Sequence, residues 1–313
     1  MKNKKSLMVI SALLILIYHL WINITNLRVE NYLRQICVIG VDIFFFISAY
    51  SIGKTHINYK DFLANRFKKI YFEFLVFSTI GAIYFKWGLE KFLKVIFGFD
   101  LIKSGGGSFL WFIPAIMIVY LTLPLIKKLD IKFPKIVPFI LFSTYILAVI
   151  LISTLSDYSA LFILINRIPV ILMGYYFARY NIFDKLNKNK IIYWTLAIVC
   201  TIVGIVISYL IFKNHFKVTW FKEIFYVLYI PLIIGIILIC DKINKNKIID
   251  YIGSITLELY GLQMLFGFKI ANNIFSYVDK RLISNILTII TLIVMAIVLK
   301  YFINIKEKIF KKN

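Results

Sequence analysis

Apolar residues fall along this chain in blocks of about twenty, separated by short polar stretches, the length at which a helix crosses a bilayer. Ten such blocks predict ten spanning helices, over residues 7–25, 36–54, 70–87, 109–126, 136–154, 160–178, 191–212, 220–240, 251–268 and 283–303. The seventh and eighth are separated only by the short join KNHFK. The first block, LMVISALLILIYHLWINI, is too long for a signal-peptide core and has no small-residue cleavage site, so it is expected to stay as a spanning helix. It holds His19, an ionisable group that costs free energy inside a bilayer and is usually retained for a reason.

Two connections exceed a minimal turn. In residues 59–71 (YKDFLANRFKKIY), Phe62, Leu63, Phe67 and Ile70 recur at helical spacing among Lys60, Arg66, Lys68 and Lys69. That pattern predicts an amphipathic helix lying on the inner membrane surface. The stretch 91–108 ends in Gly105, Gly106 and Gly107; no Lys-Ser/Thr follows as a P-loop requires, so a flexible turn is the better reading.

Composition agrees with the pattern. Of 313 residues, 61% are hydrophobic and 17% charged, whereas soluble domains sit near half and a quarter. The class is therefore an all-α polytopic membrane protein in a single domain over 1–313. A net charge of +22 raises the possibility of nucleic acid, but the basic residues are scattered through short loops, and no nucleic-acid partner is expected. Loops on one side of the ten-span arrangement carry 24 Lys and Arg and the other side 12, which puts both termini in the cytoplasm of a cell membrane by the positive-inside rule. Cys37, Cys200 and Cys240 lie in separate apolar blocks and read as free buried thiols. His56 and His215 are loop residues with no carboxylate or cysteine at ligand spacing, so no metal site is assigned.

Polar side chains at depth are the candidate chemistry. A helical rise of 1.5 Å per residue puts His19 roughly 12 Å below the outer face, Asp42 roughly 9 Å and Arg167 roughly 10 Å. A carboxylate beside a histidine holds its tautomer and stabilises the imidazolium; the competing reading is a polar cluster that only ties helices together. Lower down lie Ser48 and, on one face of the ninth span, Tyr260 and Gln263, which either approach His19 from the inner side or hydrogen-bond across helices. Trp111 reads as an interfacial anchor, and Glu73, near Arg66, Lys68 and Lys69, as half of an interfacial ion pair.

Several runs resemble one family in order. SALLILIYH, ending at His19, is similar to a first-helix motif ending in Tyr-His. GVDIFFFISAYSI, with Ser48, looks like a second helix led by Gly-Val-Asp, and FLANRFKKIYFEFL places Arg66 in an arginine-bearing segment. SFLWFIPAIMIVYLTLPLI, RIPVILMGYYFARY and IGSITLELYGLQ are similar to the fourth, a later Arg-to-Gly, and the final polar helices. Together they resemble the acyltransferase family 3 of integral membrane proteins, which transfer acyl groups to cell-surface sugars. The departures are Met8 where members commonly carry arginine, Gln263 for a usual histidine, Thr256 for a serine and Ala49 for a glycine.

The resemblance implies an acyl-CoA donor, usually acetyl-CoA, reached from the cytoplasm, and an extracytoplasmic glycan or lipid-linked sugar as acceptor, with the bilayer as surroundings and no bound cofactor. His19 is the implied base or acyl relay, with Asp42 orienting it. Arg66 and Arg167 are implied donor or acceptor contacts, with Ser48, Trp111, Tyr260 and Gln263 as further substrate-binding candidates. A transporter or flippase for glycans, an inactive family member and a structural subunit are the alternatives that the same residues leave open. The wealth of Lys, Asn and Ile fits an AT-rich bacterial genome.

Overall fold

In hydrocarbon a peptide group has no water to bond, so apolar blocks of this length satisfy their backbone as helices. The structure, a computed structural model, describes residues 1, 3–19, 27–55, 58–103, 110–153, 160–213, 224–244, 246–278 and 280–310. Among them there are helices and no strand. In chain order these are α1 (Lys4–Tyr18), α2 (Leu27–Cys37), α3 (Ile39–Lys54), α4 (Tyr59–Arg66), α5 (Phe72–Tyr84), α6 (Leu89–Ile96), α7 (Asp100–Lys103), α8 (Phe112–Lys132) and α9 (Ile136–Ser153). There follow α10 (Ala160–Ile165), α11 (Ile168–Arg179), α12 (Ile182–Leu186), α13 (Lys190–Lys213), α14 (Ile230–Asp241), α15 (Lys247–Ile252), α16 (Thr256–Val278) and α17 (Arg281–Phe310).

Five described stretches are long and apolar enough to cross a membrane: Tyr32–Lys54, Phe112–Lys132, Leu161–Arg179, Lys190–Lys213 and Arg281–Ile303. On α13 the large apolar residues Ile191, Ile198, Ile202 and Val206 are exposed. An exposed apolar surface of that extent belongs against lipid, and the protein is a membrane protein.

Three expectations change. The first block was expected to be helical over 7–25; α1 ends at Tyr18, and residues 20–25 lie outside the described residues. The expected surface helix over 59–71 is not separate from the third span. α4 runs through one π-helical turn, Phe67–Tyr71, directly into α5. The sixth block is broken: Asn166 and Arg167 form a turn between α10 and α11, and Pro169, which has no N–H to give, opens the second piece. His56, His215, the three glycines 105–107 and most of the KNHFK join lie outside the described residues.

The chain divides into two compact units, Met1–Ile43 with Ile239–Asn313, and Phe44–Leu238. In the first, Asn3 ties the start of the chain to the end of α14: its backbone N–H donates to Asp241 Oδ1 at 3.4 Å and its Nδ2 to the Asp241 and Ile243 carbonyls. α17 returns along α16, and Glu258 near the start of one pairs with Lys300 near the far end of the other. In the second unit, α3 and α11 approach at Gly174, where an added Cβ would lie 2.5 Å from the Phe46 carbonyl oxygen. Lys127 of α8 donates to the Ile52, Gly53 and Thr55 carbonyls at 2.9, 3.0 and 2.7 Å, satisfying the acceptors that a helix leaves unmade at its C-terminus.

Candidate functional site

The first unit holds His19, Asp42, Tyr260 and Gln263. His19 caps the C-terminus of α1, half-buried, with its backbone N–H on the Ile15 carbonyl at 3.0 Å. Its ring meets Tyr18 edge-on at 4.9 Å between centroids. Arg34 of α2 donates from Nε to the Tyr18 carbonyl at 3.1 Å, a cation on the negative end of α1 beside His19.

The floor beneath His19 is set one turn inward, at Ile15. Gln263, 1% exposed, donates from Nε2 to the Ile15 carbonyl at 3.4 Å. Gly40 lies against the same turn: a Cβ there would stand 2.7 Å from the Ser11 carbonyl oxygen and 2.9 Å from Ile15 Cγ1. Only glycine admits so close a backbone approach. Asp42 follows two residues further along α3 and is buried, as is Tyr260 one turn before Gln263. Of the two sequence readings for Gln263, the structure has it bonded across helices to the backbone beneath His19.

The second unit holds Ser48, Arg66, Trp111 and Arg167. Ser48 Oγ and Tyr120 Oη are 3.3 Å apart, and the Arg66 guanidinium lies over the Tyr120 ring at 5.2 Å and over Phe62 at 5.5 Å. A guanidinium on a π face keeps its charge while shedding part of its water. Arg66 is thus turned toward the protein, whereas Lys68 and Lys69 remain exposed. Glu73 is buried, at 3% exposed.

Arg167 is the largest fully buried side chain, stacked 5.4 Å above the Trp111 ring with Nη1 donating to the Ile163 carbonyl at 2.8 Å. Trp111, which reads from the sequence as an interfacial anchor, thus carries a buried cation on its ring. At the other end of α11, Asp130 is wholly buried. It pairs with Arg179 and accepts from Tyr175 Oη at 2.7 Å. The network fixes α8 to α11.

Arg34, Tyr120, Asp130 and Arg179 were not singled out from the sequence. Asp130 carried a signal, a lone carboxylate among Lys127, Lys128 and Lys132; Tyr120, one tyrosine of 20, carried none.

A protein-family model described as an acyltransferase domain matches residues 7–305, running through both units. Searches of the curated proteins and of the solved structures gave no match.

Proposed function

The chain belongs to that acyltransferase family, and from this membership we propose that it is a membrane O-acyltransferase. It takes an acyl group, acetyl first of all, from cytoplasmic acyl-CoA and delivers it to an extracytoplasmic polysaccharide or lipid-linked sugar of a bacterial envelope. The observation that carries the reading is a family match covering nearly the whole chain. Ten spans with both termini in the cytoplasm complete it, supported by the basic residues concentrated in one set of loops.

His19 is assigned the proton. Its imidazole accepts the proton of a sugar hydroxyl as that oxygen attacks the thioester carbonyl; the C–S bond then breaks, and the leaving thiolate recovers the proton. An acyl relay on the imidazole itself is the second route for the same residue. Asp42, buried in the same unit, offsets the imidazolium charge, while Gln263 holds the turn of α1 next to His19 and Tyr260, buried one turn before Gln263, is assigned to the substrate. In the other unit, the basic segment of Arg66, Lys68 and Lys69 is assigned the phosphates of coenzyme A, with Ser48 beside it. Arg167 on Trp111 is assigned an electron-rich oxygen of donor or acceptor.

Membranes holding the wild-type protein, given labelled acetyl-CoA and total cell-envelope glycan, test the reading. It expects label in the glycan. Glycan moved across sealed vesicles with no label transferred points instead to the flippase alternative.

A further inference from the structure

The broken sixth span has a feature that the assignments above leave unused. Asn166 sits in the turn between α10 and α11 and is 1% exposed. Its Nδ2 donates to the Phe162 carbonyl at 3.1 Å. A carbonyl only accepts, so this bond fixes which end of the amide is which. The remaining end, Oδ1, is buried and has no hydrogen-bond partner among the described residues.

Such an oxygen costs free energy in proportion to how dry its surroundings are, and one that persists in a native structure calls for an explanation. Packing offers none here, because an aliphatic side chain of similar volume would fill the same space with no lone pair left over. Its neighbours suggest a ligand. Arg167, the next residue, lies on Trp111, and the first turn of α11 has no side-chain cap, which leaves the positive end of a helix at the same turn.

We propose that Asn166 is a substrate-binding residue whose side-chain carbonyl takes a hydrogen bond from an N–H or O–H of the substrate, while Arg167 and the start of α11 favour an electron-rich oxygen next to that donor. The ligand class is a polar chain or ring that presents both groups side by side. Two substrates of an acyltransferase do so: the amide-bearing arm of acyl-CoA and the hydroxyls of a sugar. The inference rests on the acyltransferase reading and adds to it a residue outside the motifs that suggested it.

The test uses the full chain in lipid nanodiscs, as wild type and Asn166→Leu, with thermal melts taken alone and over a range of acetyl-CoA or of chitotetraose. If Asn166→Leu does not insert, Asn166→Ala removes the same oxygen without added bulk. The proposal expects the variant alone to melt no lower than wild type, and one of the two ligands to bind it about tenfold more weakly, the loss of one buried hydrogen bond. Weakened acetyl-CoA binding assigns Asn166 to the donor, weakened chitotetraose binding to the acceptor. A variant that melts lower with both affinities intact makes Asn166 a folding residue and overturns the proposal. Equal binding of both ligands by wild type and variant overturns it as well, with the acyltransferase reading still standing. If neither ligand shifts the wild type, the donor and acceptor of that reading fail, and the assignment of Asn166 to either of them is overturned with it.

Discussion

At the scale of single residues, His19 meets the Tyr18 ring edge-on, and the Arg34 guanidinium bonds the Tyr18 carbonyl. His19 and Arg167 were visible because ionisable groups are rare inside apolar runs. Arg34 was not, since its bond to the Tyr18 carbonyl joins residues 16 apart, a separation that helical periodicity does not mark. We expect Arg34→Gln to lower acyl transfer roughly three- to tenfold while leaving insertion intact, with Arg34→Lys recovering part of it, because it loses one charged cap beside His19. Initial rates on membranes with matched protein levels check this, and an unchanged rate for Arg34→Gln would remove the residue from the site. Met8 stands where the resemblance to the family expects an arginine, so Met8→Arg is expected to raise transfer if the wild type is slow. A drop would mean that this chain has repacked around methionine. Tyr120 stayed hidden for a simpler reason: nothing in a run of apolar residues marks the one tyrosine that will meet Ser48 and Arg66.

At the scale of elements, hydrophobic blocks located helices well and their continuity poorly. The blocks at 109–126, 191–212 and 283–303 correspond to α8, α13 and α17. The break at Asn166–Arg167 and the fusion of α4 with α5 through a π turn are set by local backbone and tertiary contacts, which a hydropathy pattern averages away. Close helix approach makes its own predictions. Gly174→Ala puts a Cβ 2.5 Å from the Phe46 carbonyl oxygen, so the backbones must part, at about 1–3 kcal/mol. A melt in nanodiscs reads this directly, and an unchanged melting temperature would mean that α3 and α11 are not held so close. The pairing of Asp130 with Arg179 calls for a double-mutant cycle. Asp130→Asn or Arg179→Met alone should each cost about 3–5 kcal/mol, and the pair together much less than the sum, because the second change removes the charge stranded by the first. Additive losses would place the two residues in separate interactions.

At the scale of the whole molecule, composition settled the class: a chain 61% hydrophobic in blocks of about twenty is a helical membrane protein, and the fold agrees. The division into two units was not legible, because it depends on residues far apart in the sequence packing together, such as Asn3 with Asp241. Topology is tested by placing single cysteines in a background with Cys37, Cys200 and Cys240 replaced. An impermeant maleimide should label Lys91→Cys on intact cells and Lys188→Cys only after permeabilisation; the reverse pattern would invert the orientation and with it the sides of donor and acceptor. The proposed chemistry rests on His19 handling the transferred proton or acyl group. Membranes carrying wild type or His19→Ala at equal, inserted levels, supplied with labelled acetyl-CoA and envelope glycan, decide it most directly. Label is expected in glycan with wild type, with a loss of at least about 100-fold in His19→Ala. Transfer at the wild-type rate without the imidazole would contradict it.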